Sequence, residues 1–318
     1  MITLDYVYIV AGLAFAGFAI LSAFDRANRK RFGNAAFWGL LAASFFFGSH
    51  LSDLENGILV LALVLIGGFG GLGLGKPQTT SPEERRESAA RRGNGLFVPA
   101  LVIPAVALLG TLFLTSAKLG GIQIVDPKQV TLISLAFGIV LALVVAMLWL
   151  RPPLLAPLQE GRRLIDTIGW AAILPQMLAS LGAVFAAAGV GKQVGIIASD
   201  YIPLDQPFEA VIVFCLGMAA FTAIMGNAFA AFPVMTAAIG LPLIVVKFHG
   251  NPAIMGAIGM LSGFCGTLTT PMAANFNVVP AALLELPDKN GVIKAQLPTA
   301  GLMLIANMIL MYCLAFRF

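Results

Sequence analysis

Apolar runs about as long as a bilayer is thick recur from one end of this sequence to the other, and no other feature restricts its folding as much. A crossing helix needs about 20 consecutive apolar residues. Such runs lie near 5–24, 35–49, 56–75, 96–116, 130–150 and 167–190, with further apolar sequence after them. Of 318 residues, 59% are hydrophobic and 11% are charged, whereas roughly a quarter of a soluble domain is charged. A water-facing exterior cannot be made from this alphabet, so lipid must be the main solvent. The expected class is an all-α polytopic membrane protein with about eight spans.

The basic residues give the direction of threading. Arg26, Arg29, Lys30 and Arg31 follow the first run, Lys76, Arg85, Arg86, Arg91 and Arg92 the third, and Arg151, Arg162 and Arg163 the fifth. Cytoplasmic loops are enriched in Lys and Arg, and alternating spans place all three clusters on one side, later joined by Lys289 and Lys294. The other side keeps Lys118, Lys128, Lys192, Lys247 and Arg317. Both termini are therefore expected outside. The net charge of +4 and pI near 9.1 follow from these orientation signals, and no nucleic-acid partner is expected. The first run has Asp5 near its start and its positive charge behind it, the reverse of a secretory leader, so it is expected to remain as a span. Cys215, Cys265 and Cys313 lie in apolar stretches without CxxC spacing and read as small hydrophobes.

Composition suggests three regions. Residues 1–95 hold three spans and a polar, charged, proline-containing cytoplasmic linker. Residues 96–166 hold a pair of spans and their connector, and 167–318 the remainder. Gly68, Gly70 and Gly73 fit GxGxxG, but a dinucleotide fingerprint needs a strand before it and a soluble helix after it, and here both flanks are membrane span. Gly67, Gly71 and Gly75 recur every four residues, which predicts a helix stripe where another backbone approaches closely. Asp53, Glu55 and Asp166 read as interfacial charges, with a proton-coupling role open for one of them.

From 167 onward the character changes. Between Pro207 and Leu284 the charged residues are Glu209 and Lys247, yet five prolines and a set of Thr and Asn side chains fall there. Backbone-breaking polar sequence at membrane depth is tolerated only where protein or a wet cavity satisfies it. In FTAIMGNAFAAFPVMTAAIGLPL, residues 221–243, two apolar arms near 208–225 and 229–246 meet at Gly226 and Asn227, with no charge at the junction to meet water. This predicts a re-entrant hairpin entering from outside with its tip near the midplane. The alternative is an ordinary tight turn capped by Gly and Asn.

The run 251–286 is longer than one simple span. Gly263, Gly266 and Pro271 bracket three threonines in it, which predicts a discontinuous helix with these residues as the hinge or break. Thr267, Thr269, Thr270, Asn275 and Asn277 would line the break, freed carbonyls could hold a cation, and the second half-helix could offer its amino end to an anion. A proline-kinked helix whose threonines bond back to the preceding turn is the other reading. Residues 189–206 are expected to form an outer amphipathic connector, and Leu297–Ala315 the last span, with Arg317 as an interfacial anchor.

This order of span, connector, polar hairpin, Thr-Pro break and final span resembles the carboxyl-terminal repeat of the ion transporter superfamily, which includes dicarboxylate, citrate and gluconate carriers. FTAIMGNAFAAFPVMTAAIGLPL stands for the hairpin and GTLTTPMAANFN for the broken helix, over about 96–318. On that resemblance 96–166 is a scaffold-type span pair and 167–318 a transport-type repeat. More narrowly, the chain is similar to a bacterial inner-membrane family that accompanies a smaller membrane protein beside 5-oxoprolinase genes. The resemblance implies a 5-oxoproline permease of two dissimilar subunits. Residues 1–95 contain no second polar hairpin or Thr-Pro break, so the smaller partner would supply the other repeat, and a homo-oligomer is compatible with the pattern. Gly226, Asn227, Thr267, Thr269, Thr270, Asn275 and Asn277 would then contact substrate. Gly226 and Ala228 stand where the usual tip has hydroxyl residues, which leaves Asn227 alone there.

The chemistry of the region agrees with a small carboxylate. It has no buried Arg, Lys, Asp or Glu, so recognition would rest on amides, hydroxyls and helix ends, a set suited to a single negative charge. No cofactor is expected; the coupling ion would be Na+ or H+, with Na+ placed near Asn227 and Thr267. An enzyme would need a nucleophile with a base, or metal ligands, at depth. His50 and His249 lie near span ends and no HExxH is present, so none is expected. The alternative function is a non-transporting membrane scaffold or assembly subunit.

Overall fold

The computed structural model describes residues 1–77, 80–119, 122–201 and 205–317. The chain divides into two compact units, Met1–Gly169 and Trp170–Phe318. In the first, α1 (Leu4–Phe24) packs against α2 (Arg31–Phe47), and α3 (Asp53–Gly68) follows. Missing side chains and stacked rings make the α1–α2 contact. A Cβ added at Gly12 would lie 2.7 Å from the Phe46 ring, and Phe15 stacks on Phe45 with centroids 5.5 Å apart. α3 begins with a capping box, in which Ser52 accepts from the Glu55 N–H and the Glu55 carboxylate accepts from the Ser52 N–H, satisfying two donors of the first turn.

The glycine stripe expected along the third span does not form. α3 stops at Gly68, Gly70 takes φ +71° and the chain runs on as a strap without helical bonds. Side chains from the α1–α2 region capture that backbone. Asn28 and Asn34 both donate to the Gly73 carbonyl, Asn34 accepts from the Gly73 N–H, and Lys30 donates to the Gly70 carbonyl. Of the three glycines only Gly67 lies within the helix. The polar linker is also more ordered than its composition suggests, since it contains α4 (Pro82–Arg92), capped by Ser81 and Glu84. Glu83 and Glu84 sit in its first turn and Arg91 and Arg92 in its last, as the helix dipole favours.

A 3-10 turn leads from α4 into α5 (Phe97–Leu114), which pairs closely with α6 (Val130–Leu150). A Cβ added at Gly138 would lie 3.0 Å from the Ile103 carbonyl. Between α5 and α6, β1 (Lys118–Leu119) pairs antiparallel with β2 (Ile122–Gln123), and Ile2 forms an isolated parallel bridge with Val125. α7 (Ala156–Ile168) lies on α1, with Leu158 on Gly17 and Phe18 on Gly161.

The second unit contains α8 (Leu174–Ala187), α9 (Val190–Tyr201), α10 (Pro207–Met225), α11 (Ala228–Met235), α12 (Pro252–Thr267), α13 (Val278–Leu283) and α14 (Gly291–Ala315). α11 continues as a π-helical stretch, Thr236–Lys247, around Pro242. The core gathers where α10, α11 and α12 meet, around Phe214, Met218, Met235, Ile239 and Met255, all buried. The expected connector after 189 is the helix α9, and the last span begins at Gly291, earlier than expected.

Among the described residues, seven helices are long and apolar enough to cross a membrane: Leu4–Phe24, Glu83–Leu114, Val130–Leu150, Ala156–Ala187, Pro207–Met225, Ala228–Lys247 and Gly291–Ala315. α2 has 17 residues, α3 and α12 have 16 each. Large apolar side chains such as Phe113 and Leu302 remain open on the helix surfaces, where lipid is their natural solvent. The chain is a helical multi-pass membrane protein.

Candidate functional site

The junction of α10 and α11 is a two-residue turn. Gly226 ends α10 with φ +75°, a left-handed conformation that suits glycine, and its N–H donates to the Thr222 carbonyl at 2.7 Å. Asn227 then caps α11, its Oδ1 accepting from the Phe229 N–H at 2.8 Å. That bond occupies one of the two lone pairs of the amide oxygen, and the NH2 group adds donors at the tip. The turn is packed within the chain: Met225 and Ala228 are 4% and 1% exposed.

α12 ends at Thr267, and 268–277 is irregular before α13 begins. Gly263 and Gly266, expected as hinge residues, lie inside the continuous helix. They admit α10 and the start of α11 there: a Cβ at Gly263 would lie 2.9 Å from both Met218 Cε and Ala228 Cβ, and one at Gly266 would overlap the Ala219 carbonyl. Pro271 lies within the irregular stretch and is exposed. Asn277 closes the stretch from its far end, its fully buried Nδ2 donating to the Thr267 and Thr270 carbonyls at 2.7 Å each.

The turn and the break meet. A Cβ at Gly226 would lie 2.5 Å from the Met272 carbonyl oxygen, so glycine is required there both by its φ and by the approach of Met272. The expected site residues fall into three groups. Thr267, Thr270 and Asn277 are buried and joined through the Asn277 amide. Gly226 and Asn227 are brought against this stretch. Thr269 is half-buried and donates to the Gly266 carbonyl, while Asn275 is exposed and apart from the buried set. No hydrogen bond joins Asn227 to Thr267 among the described residues.

Most polar groups of the break are satisfied locally. Thr267 donates to the Phe264 carbonyl at 2.6 Å, and the Thr270 hydroxyl accepts from the Met272 N–H at 3.2 Å. Two atoms are left over: Asn277 Oδ1 and Thr222 Oγ1 are buried without a partner. A buried polar atom without a hydrogen bond costs about 1–3 kcal/mol, so this junction is under-satisfied where α10 meets the break. Thr222 was not singled out from the sequence. Its only local signal is a lone hydroxyl one turn before Gly226. Asn307 of α14 was also missed; it is 1% exposed, with Nδ2 3.6 Å from Cys265 Sγ.

The helix end available to an anion is not the expected one. α13 has six residues and Asn277 makes no side-chain cap to it, so its dipole is small. The amino end of α11 lies at Asn227 and continues through the π-helical stretch to Lys247. Together the junction offers neutral amide and hydroxyl groups and one helix amino end. Among the described residues no group of three His, Cys, Asp or Glu could hold a metal ion.

No curated protein and no solved structure matched the chain. A family model described as Protein of unknown function (DUF979) matches residues 5–316, and the chain belongs to that family.

Proposed function

We propose that this chain is one subunit of a secondary transporter for a small organic carboxylate, with 5-oxoproline as the substrate favoured by its resemblance to the bacterial inner-membrane family found beside 5-oxoprolinase genes. Substrate binds at the junction of the Gly226–Asn227 turn and the 268–277 break. The observation that carries this reading is the meeting of two irregular, uncharged segments inside an apolar unit, with Thr222 Oγ1 and Asn277 Oδ1 buried and unpartnered beside them. Neutral donors and one helix amino end suit a single negative charge.

Depth along α14 supports a re-entrant hairpin. Cys215 Sγ lies 3.9 Å from Met311 Sδ, and the helix from Cys215 to Met225 can rise about 15 Å at most. The turn therefore falls about 15 Å short of the amino end of α14, and about 6 Å short of Leu297, which follows the cytoplasmic Lys294. In this arrangement the chain lies in a bacterial inner membrane with both termini outside, and α7 belongs to the cytoplasmic connector that carries Arg151, Arg162 and Arg163. The smaller partner contributes the other half of the cradle, the assembly can repeat as a homo-oligomer, and Na+ or H+ drives uptake.

Labelled 5-oxoproline uptake into proteoliposomes tests substrate and subunit requirement together, with this chain alone and then with the smaller partner. Asn227→Leu and Thr270→Val should each reduce uptake at least tenfold while the protein still assembles in the membrane. Unchanged uptake in both variants would instead support a scaffold or assembly role.

A further inference from the structure

In the first unit α1 packs on α2 and α7, and α5 packs on α6, but α1 and α5 share no extensive contact. The space they leave is a pocket of about 570 Å³, inside the range of about 300–1,000 Å³ usual for small-ligand sites. Tyr6 and Val10 line it from α1, Val106 and Leu109 from α5, and Ala136 and Phe137 from α6. Two backbone bonds close one end. Ile2 donates its N–H to the Ile124 carbonyl at 2.7 Å, and the Ile2 carbonyl accepts from the Asp126 N–H at 3.0 Å. Beneath this bridge Leu4 and Val7 pack with Val125, Val130 and Ile133. The pocket therefore ends at the level of the loop that joins α5 to α6. It opens sideways past Tyr6, Leu109 and Phe137, which are exposed on the helix surfaces where lipid is the solvent.

The lining does not suit water. Among the described residues no charged side chain lines the pocket. Ser134 of α6 is 2% exposed, its hydroxyl lies against Gly110, and that oxygen has no hydrogen-bond partner. A buried water needs about 2–4 polar partners, which this lining does not supply. An empty space would instead forfeit the dispersion contacts of every wall. The fitting occupant is apolar.

Height and closure separate a lipid tail from a helix. From Val106 to Phe113 the pocket extends about 10 Å along α5, a third of a hydrocarbon core of about 30 Å. A helix of another protein crossing here would be about 10–12 Å wide and would meet the Ile2–Val125 bridge across its path. A methylene chain is narrower, bends freely and can end inside. Beyond the bridge the same loop carries Lys118 and Lys128, both exposed. The carboxylates at this level are engaged locally: Asp5 accepts from the Thr3 hydroxyl and Asp126 from the Lys128 N–H, each at 3.0 Å. The two ammonium groups suit a phosphate at the membrane surface.

We propose that this pocket binds one acyl chain of a membrane phospholipid, entering from the leaflet on the side of the β1–β2 loop, with the lipid phosphate level with Lys118 and Lys128. The site lies in the unit that does not hold the binding junction, and its test does not depend on transport.

The test uses the purified full chain in phosphatidylglycerol–phosphatidylcholine nanodiscs containing a phosphatidylcholine with a diazirine in its acyl chain, followed by illumination and peptide mass spectrometry. Label should concentrate on residues 106–114 and 133–140, at least fivefold above the exposed α14 face at Leu302 and Ile309. Val10→Phe and Ala136→Phe fill the pocket from two different helices. Each should cut the pocket label at least fivefold and leave the α14 label and the melting temperature unchanged. A photo-reactive phenylalanine analogue in place of Leu109 then identifies the occupant in cell membranes, where a phospholipid adduct is expected. Equal labelling of the pocket and of α14 in the wild type overturns the proposal whether or not a filled variant folds. Pocket label that both filled variants retain, or an adduct at 109 with a second copy or another protein, overturns it as well.

Discussion

At the scale of single residues, Gly226 is the position on which the junction depends most. Its φ of +75° would cost any other L-residue about 1–2 kcal/mol, and the atom facing an added Cβ is the Met272 backbone oxygen, which cannot swing aside as a flexible side chain could. Gly226→Ala should therefore destabilise the protein by more than the left-handed penalty alone and abolish uptake. Gly301→Ala is its counterpart: nothing lies within 4 Å of the added atom in α14, and replacing a mid-helix glycine should stabilise by about 0.5–1 kcal/mol. Thermal unfolding of the two purified variants checks both signs. Gly226 and Asn227 could be picked out from the sequence because an uncharged Gly-Asn step between two apolar arms has no water to meet. Thr222 could not. A single threonine in an apolar helix has the look of one bonded back to its own turn, and only the fold reveals that its hydroxyl lacks a partner.

Between elements, the interruption from 268 to 277 is held closed by one side chain reaching back from its far end. Asn277→Asp would present an oxygen where two carbonyls now receive N–H donors. Losing both bonds and leaving the carbonyls unpaired should cost about 2–4 kcal/mol. Asn275→Asp, at an exposed position, should stay within about 0.5 kcal/mol of wild type. Hydrogen exchange over the interrupted stretch, together with melting temperatures, separates the two; equal effects would mean that Asn277 is not what holds it. The interruption itself was legible from proline, glycine and clustered threonine in a run too long for one span. The fate of the third apolar run was not. Its glycines repeat with a helical period, but the groups that end the helix at Gly68 and tie down the strap are Asn28, Lys30 and Asn34, far back in the chain. No local pattern reports them. The reverse holds for α4, whose Ser81–Glu84 capping box is a local signal obscured by the charged composition of 76–95.

Over the whole molecule, charge placement and helix length bear differently on the path of the chain. Basic clusters give an expected side to each loop, and that pattern is readable before any helix is placed. Length does not separate a hairpin from two crossings, because Pro207–Met225 and Ala228–Lys247 are each long enough to span a bilayer. The two paths differ at one place, the level of the Gly226 turn. Single cysteines introduced after replacing Cys215, Cys265 and Cys313 can be probed with a thiol reagent that does not cross membranes, since a thiol reacts as the thiolate and so needs water. Asp53→Cys should label in intact cells, and Glu87→Cys and Lys289→Cys only after the membrane is opened. Ile224 is 73% exposed on the chain's own surface, one turn or less from Gly226. If the turn stops inside the bilayer, Ile224→Cys faces lipid and stays unlabelled under both conditions. If it labels together with Glu87→Cys, the arms cross completely, the tip leaves the hydrocarbon, and the cradle is lost along with the carrier built on it.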